Sequence, residues 1–214
     1  MNARDTILGK LRAARVSAGA VAGNAEISRY LVQHPRGPQP PLPEDLVASF
    51  KERAIKLSSD VLDTNDRMEV PVLLARYLGG KQLPLRGVCW PILAGLPWST
   101  AGLEMQSRPA MEQDLVGVTG AFCAIAETGT LMLLSGANTP ATTSLLPETH
   151  VAVLDPCRIV ATMEDAWDLL RNEHKQLPRA VNFISGPSRT ADIEQTVTLG
   201  AHGPYRVLII LAPI

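Results

Sequence analysis

The stretch "HVAVLDPCRIVATMEDAWDLLRNEHKQLPRAVNFIS", residues 150–185, decides the fold, because it sets a helix between two apolar strands. The helix has a clear start, since Thr162 and Asp165 have the spacing of a capping box. Strands that alternate with helices of this length predict a mostly parallel sheet covered on both sides. The predicted elements are a strand at 150–154, a helix at 162–173 and a strand at 180–185.

The same alternation extends to both sides of this stretch. A helix is predicted to open at Pro43 and to precede a strand in "SDVLDT", and "MEVPVLLARYLGG" is predicted to be the next helix. The runs on either side of "ETG" (127–129) are too close for a crossover helix, which predicts a hairpin or a mixed-sheet excursion. The other predicted elements are strands at 85–89 and 103–106, apolar segments at 115–125 and 129–134, a helix at 190–196 and a strand at 205–212.

Two shorter helical patterns precede this α/β portion. Residues 3–15 have an amphipathic pattern with a cationic outer face, and Ile27, Tyr30 and Leu31 mark a second pattern. The proline-rich string "HPRGPQPPLP" then forbids a continuous helix and favours extended backbone. The predicted divisions are an N-terminal helical segment (1–34), a proline-rich linker (35–43) and an α/β domain (44–214).

Composition and charge exclude several classes of protein. The 214 residues are 46% apolar with a net charge of −1, which fits neither a disordered chain nor one with a basic field for nucleic acid. The N-terminus lacks the apolar run of a secretory signal, and the longest apolar runs fall far short of the roughly 20 residues that span a bilayer. We therefore expect a soluble, cytoplasmic protein.

The cysteines give no sign of a metal site. Cys89, Cys123 and Cys157 are far apart in apolar surroundings, and no C-x-x-C or Cys/His cluster occurs. This pattern is typical of reduced core thiols. We expect no iron–sulfur cluster and no structural zinc on this chain.

Glu127 stands inside an apolar run, "AIAETGTLMLLSG" (124–136). A buried carboxylate must be hydrogen-bonded, paired or shifted in pKa. One interpretation is a hairpin turn whose carboxylate faces water. The other makes Glu127 an acid/base, nucleophile or ligand-orienting group at the sheet edge, with Thr128, Gly129 and Thr130 beside it.

A second polar stretch, "FISGPSRTADIEQT" (183–196), reads as a strand that meets a helix start. Such a corner combines hydroxyls, backbone N–H groups and the Arg189 guanidinium at the carboxyl end of a strand, where α/β sheets bind anions. The alternative is a simple cap, with Ser188 or Thr190 on the helix and Arg189 paired with an acidic neighbour. If the first interpretation holds, Glu127 and Arg189 converge on one concavity at the rim of the sheet.

Other polar positions are secondary candidates. His202 lies between glycines in "GAHGPY" and can act as an acid/base or anion contact, or simply as a turn residue. For His150 a structural role is favoured, and metal binding by the two histidines lacks a supporting ligand spacing. The small polar residues Ser135, Gly136, Thr143 and Ser144 line either a pocket or ordinary loops. No hydrolase elbow or phosphate-binding loop motif occurs.

Three strings carry a family resemblance: "GVTGAFCAIAETGTLMLLSG" (117–136), "SLLPETHVAVL" (144–154) and "FISGPSRTADIEQTVTLGAHGP" (183–204). Together they resemble the lactate-utilisation protein C family, the LUD-domain proteins. The resemblance implies a three-layer α/β/α sandwich with a mostly parallel mixed sheet, similar to the sugar-phosphate isomerase and CoA-transferase superfamily. It also implies a role in oxidising L-lactate to pyruvate as one of three co-encoded components, with iron–sulfur clusters on partner proteins.

The resemblance also favours Glu127 and the Ser-Arg-Thr-Asp corner as site members. Glu127 and His202 are the predicted catalytic residues. The predicted ligand-binding residues are Thr128, Gly129, Thr130, Ser135, Gly136, Ser185, Gly186, Ser188, Arg189, Thr190, Asp192 and Gly203.

Two functions from different classes follow. In the first, the chain is a non-redox component of a lactate-oxidising assembly that binds a small anionic ligand or iron–sulfur partner subunits. In the second, it is a self-sufficient enzyme of CoA-transferase or cyclo-ligase type that uses Glu127 on a small carboxylate, phosphate or acyl thioester. A scaffold without a ligand is a third alternative, and self-association into a homo-oligomer is a further expectation.

Overall fold

The computed structural model describes residues 3–17, 20–39, 41, 43–190 and 198–213. The chain divides into two compact units, Met1–Pro41 and Leu42–Ile214. The first unit contains α1 (Ala3–Ser17) and α2 (Ala20–Gln33), at the two predicted helical patterns. The finer division at residues 34 and 43 stays a prediction. Within the described ranges, no helix has the length and apolar character to cross a bilayer.

The second unit alternates strands with helices. Its helices are α3 (Leu46–Lys56), α4 (Val70–Gly80), α5 (Thr142–Leu145) and α6 (Met163–Glu173). Its strands are β1 (Asp60–Asp63), β2 (Arg86–Cys89), β3 (Glu104–Ser107), β4 (Val116–Gly120), β5 (Cys123–Ile125), β6 (Thr130–Leu134), β7 (Thr149–Leu154), β8 (Ile159–Val160), β9 (Val181–Ile184), β10 (Arg189–Thr190), β11 (Thr198–Leu199) and β12 (Arg206–Leu211).

A six-stranded parallel sheet forms the centre of this unit, in the order β1-β12-β7-β4-β2-β3. Every residue of β4 and β7 is buried. Burial on both faces is what a parallel sheet covered by helices requires, and it explains why these strands are apolar runs without alternation.

Two apolar layers cover the two faces of the central sheet. On one face, Val70, Leu74 and Leu78 of α4 pack with side chains of β4, β7 and β12. On the other face, Phe50 and Ala54 of α3 pack with the alternate residues of β7 and β12. The predicted α/β class, with a mostly parallel sheet between helical layers, is confirmed.

A smaller sheet, in the order β8-β5-β6-β9, lies on the α3 side. The predicted hairpin at "ETG" is confirmed, since β5 and β6 pair antiparallel across it. The strand predicted at 180–185 forms, as β9, but it pairs antiparallel with β6 and does not join the central sheet. The reason is that the hairpin leaves the outer edge of β6 available. The outer side of this sheet packs on Ala166 and Leu170 of α6.

The predicted apolar segment 115–125 contains two strands, β4 and β5, because the chain leaves the central sheet at Ala121 and Phe122. Two local predictions need correction. Thr190 pairs with Thr198 in a short ladder, so no helix begins at residue 190, and the rest of the predicted helix 190–196 lies outside the described residues. Cys157 is exposed and not part of the core, since it lies in the turn after β7.

His150 is fully buried in β7. Its Nε2 atom lies 2.8 Å from the Thr119 hydroxyl, and its Nδ1 atom has no hydrogen-bond partner among the described residues. Burial lowers the pKa of this imidazole to about 4, because the charged form loses its hydration. His150 is therefore neutral in the folded protein at pH 7.

We predict that His150 makes the protein acid-sensitive. Between pH 6.5 and about 4 the unfolded chain protonates this residue and the folded chain does not, so the free energy of unfolding falls as pH falls, by up to about 1.4 kcal/mol per pH unit. Urea unfolding at pH 7, 6 and 5 should give a shallower pH slope for His150→Gln than for the wild type. Equal slopes would contradict this role.

Candidate functional site

Glu127 lies in the turn between β5 and β6 and is half-buried. Its backbone N–H donates to the Ala161 carbonyl at 3.0 Å, and its Oε1 atom accepts a hydrogen bond from the Met163 N–H at 3.0 Å. Met163 is the first residue of α6, whose start is also closed by the predicted capping box of Thr162 and Asp165. A carboxylate at this point satisfies a helix N–H and complements the helix dipole.

Gly129 brings the tip of this hairpin onto α3. Its φ of +67° is in the left-handed region, and a Cβ atom at this position would lie 2.6 Å from the Ala54 nitrogen. Gly186 makes the same kind of contact after β9, with a φ of +87° and the Leu57 carbonyl directly against it. Two glycine turns thus rest on the last turns of α3.

Thr130 and Ser185, the residues that adjoin these two glycines, are neighbours. The β6–β9 register pairs Leu131 with Ile184, and the next residues out, Thr130 and Ser185, join their hydroxyl oxygens at 2.7 Å. Thr128 is exposed at the hairpin tip.

The corner after β9 is a loop and a short ladder. The Ser188 N–H donates to the Pro204 carbonyl at 2.9 Å, and the Ser188 Oγ atom accepts from the His202 N–H at 3.4 Å. Gly203 packs beside Ser188, since a Cβ atom there would lie 3.4 Å from the Ser188 Cβ. The Arg189 guanidinium donates to the Ser58 hydroxyl after α3. Asp192 lies outside the described residues.

Glu127 and Arg189 have different partners. The first binds the start of α6 and the second binds Ser58, and among the described residues no hydrogen bond or ion pair joins them. Their convergence on one concavity stays a prediction.

A cleft of about 910 Å³ opens at the carboxyl edge of the central sheet, between β2 and β4. From β2 the chain moves to β3 at one edge of the sheet, whereas from β4 it moves the other way, to β7 and then β12. This reversal is the topological switch point, where open α/β sheets bind their ligands. Residues Trp90, Ala121 and Asp155, each just after a strand, line the cleft.

The walls of the cleft combine apolar and polar side chains. Ser135 and Gly136, predicted as ligand-binding residues, belong to the lining, whereas Glu127 and Arg189 do not. Ser135 follows the other end of β6 from Thr130, about 17 Å away at about 3.4 Å per residue. The predicted site residues therefore fall into two groups at opposite ends of the hairpin. The apolar lining includes Trp90, Pro91, Ile92, Leu93, Phe122 and Leu134, and the polar lining includes Asn138, Thr139, Asp155, Arg158, His174 and Gln176.

Arg158 is held rigidly in this wall. Its Nη1 and Nη2 atoms donate to the two carboxylate oxygens of Glu173 at 2.5 and 2.9 Å, and its Nε atom donates to the Phe122 carbonyl at 2.9 Å. The guanidinium also lies 4.7 Å from the centre of the Phe122 ring, whose other neighbour is His174 at 5.6 Å. Hydrogen bonding to Arg158 lowers the pKa of the Glu173 carboxyl, so this pair is charged and mutually neutralised at pH 7.

Most residues of this cleft have no local signal in the sequence. Trp90, Phe122, Arg158 and His174 come from four separate segments, and only the strand order brings them together. Thr143 and Ser144, the other secondary candidates, are fully buried in α5 and lie outside the lining. Across the described ranges, no group of three or more His, Cys, Asp and Glu side chains is placed to hold one metal ion.

A family model described as LUD domain matches residues 60–212, which include every strand of both larger sheets. The chain belongs to the LUD-domain family. The predicted resemblance is thereby confirmed.

Individual LUD-domain relatives agree with this assignment. The Lactate utilization protein C of Bacillus subtilis (strain 168) is 30% identical over 190 residues, which cover 78% of each chain. The protein of the same name from Exiguobacterium sp. (strain AT1b) is 31% identical over 180 residues, again with 78% of each chain covered. The crystal structure of a DUF162 family protein from Deinococcus radiodurans matches with a TM-score of 0.60 over 80% of this chain and 99% of that one. At 24% identity, this last match shows the fold alone.

We predict that the close packing of Gly129 against α3 is essential for stability. Gly129→Ala carries two costs, the left-handed backbone conformation and a steric conflict with the Ala54 backbone. Gly102→Ala carries only the conformational cost, because nothing lies within 4 Å of its Cβ position. Gly102→Ala should destabilise by about 1–2 kcal/mol, and Gly129→Ala by about 1–3 kcal/mol more. Urea unfolding of the two variants measures the difference, and equal losses would contradict the packing described.

Proposed function

We propose that this chain is a component of an L-lactate utilisation system, in which L-lactate is oxidised to pyruvate, and that it contributes no redox centre of its own. The observation that carries the proposal is the match to the Bacillus subtilis Lactate utilization protein C over 78% of both chains. Two of the three cysteines are buried, and burial raises the pKa of Cys89 to about 11 and that of Cys123 to about 12. Thiols held in the protonated form are poor metal ligands. In this proposal, the iron–sulfur clusters belong to partner proteins.

A small anion has one proposed contact on the chain, the loop around Ser188 and Arg189. Arg189 is exposed, and Ser58 is the one described residue to which its guanidinium donates. A guanidinium has five N–H donors in a fixed fork, so it can hold Ser58 and a carboxylate together. His202, also exposed, is adjacent through its N–H bond to Ser188.

The position of Glu127 favours this role over a stand-alone enzyme that uses Glu127 as nucleophile. One oxygen of its carboxylate already accepts the Met163 N–H at the start of α6. A covalent intermediate through Oε2 would turn Oε1 into an ester or thioester carbonyl, which accepts this N–H less strongly than a carboxylate does. Capping interactions of this type contribute about 1 kcal/mol to stability.

We predict that deletion of the gene abolishes growth on L-lactate as sole carbon source and leaves growth on pyruvate intact, because the block lies between the two acids. Growth curves on both carbon sources test this. A deletion strain that grows normally on L-lactate would overturn the proposal.

Complementation of the same strain separates the two candidate roles of Glu127. Glu127→Gln should restore growth on L-lactate, because the amide oxygen still accepts the Met163 N–H. If Glu127→Gln accumulates to the wild-type level and still fails to support growth, the enzymatic alternative gains the advantage.

A further inference from the structure

The cleft between β2 and β4 is far larger than a molecule the size of lactate requires. Its volume of about 910 Å³ is near the upper end of the range, about 300–1,000 Å³, in which proteins bind drug-sized ligands. A small acid alone would leave most of the apolar wall in contact with water. The volume therefore indicates a larger organic ligand.

The apolar wall offers a broad surface with its polar atoms already satisfied. The indole N–H of Trp90 donates to the Pro140 carbonyl at 3.2 Å, and Trp90 is only 4% exposed, so little of its ring faces the cleft. Ile92 adds an apolar side chain that is 61% exposed. Covering such a surface is favourable in proportion to the area removed from water.

The charges in the lining disfavour an anion. Arg158 is the one Lys or Arg side chain among the described lining residues, and its charge is already paired with the Glu173 carboxylate. Asp155 adds a carboxylate to the same lining. A ligand carboxylate would lose hydration without gaining an unpaired cation, and it would approach the Asp155 carboxylate.

Neutral hydrogen-bond donors are present instead. The Ser135 hydroxyl oxygen accepts from the Ala180 N–H at 2.8 Å, which leaves its proton for a ligand acceptor. Asn138 and Gln176 contribute side-chain amides and Thr139 a hydroxyl to the same lining. Donors of this kind match carbonyl oxygens on an uncharged molecule.

We propose that the switch-point cleft binds a neutral, largely apolar organic molecule with carbonyl oxygens, and that this site is distinct from the Arg189 loop. The apolar part of the ligand covers Ile92 and Phe122, and the carbonyl oxygens accept hydrogen bonds from Ser135 and its polar neighbours. This inference is independent of the lactate role, because it concerns binding to the isolated chain.

The test uses two fluorescent probes of the same ring system, acridone and acridone-4-carboxylate, and follows fluorescence anisotropy on titration with the full chain. Acridone should bind saturably and at least about tenfold more tightly than its carboxylate. Ile92→Asp should weaken acridone binding by about tenfold or more, since it puts a carboxylate into the apolar wall. The control is Val72→Asp, which makes the same change at an exposed position on α4 outside the lining and should leave binding unchanged.

A further variant tests the charge argument directly. Glu173→Gln removes the carboxylate that neutralises Arg158, so the preference for acridone over acridone-4-carboxylate should shrink several-fold. Circular dichroism and thermal unfolding check that each variant is folded. The proposal is overturned if acridone does not bind saturably, if the wild type prefers the carboxylate, or if folded Ile92→Asp binds acridone as well as Val72→Asp does.

Discussion

Two glycine turns that rest on the backbone of α3 hold the smaller sheet in place. Gly129 and Gly186 both have φ in the left-handed region, and both lack the Cβ atom that would strike Ala54 or Leu57. Because of these contacts, the tip of the β5–β6 hairpin lies at α3 and its base lies at the carboxyl edge of the central sheet. The glycines thereby determine where Phe122 and Ser135 stand, and these residues form one wall of the cleft.

Helix α6 connects the two ends of the hairpin. Its first N–H group is held by Glu127 at the tip, and its last residue, Glu173, neutralises Arg158 at the cleft. An 11-residue helix spans about 16 Å, close to the length of the hairpin beside it. Glu127, which the sequence predicts to be catalytic, thus also helps to position α6 beside the cleft. Its effect on a ligand there would be transmitted through the placement of α6.

Local signals predicted the elements well, because the forces that form them are local. The capping box at Thr162, the glycines that end α4 and the apolar runs of β4, β7 and β12 all lie where the sequence indicated. Strand partners were harder to predict, since β9 could continue the parallel sheet or pair with β6, and the choice depends on contacts between residues about 50 positions apart. Cys157 was misassigned because an apolar neighbourhood in sequence says little about a turn.

The candidate site was predictable only in part, for the same reason. The sequence placed Thr130 and Ser185 among the candidate site residues, but their contact depends on the antiparallel pairing of β9 with β6, which the sequence did not predict. The cleft depends on strand order, which converts Trp90, Ala121 and Asp155 into neighbours at the switch point. From the sequence, Ser135 and Gly136 were predicted to share a site with Arg189. In the structure they follow the far end of β6, and the full length of this strand separates them from Thr130.

Amide chemical-shift mapping by NMR with acridone tests most directly whether a ligand binds between β2 and β4. We predict the largest shifts at Ala121, Phe122, Ser135 and Thr139, together with the indole N–H of Trp90. We predict little change where Gly129 and Gly186 contact α3. Shifts concentrated at Gly129, Gly186 and Arg189, with the residues around Trp90 unaffected, would contradict binding between β2 and β4.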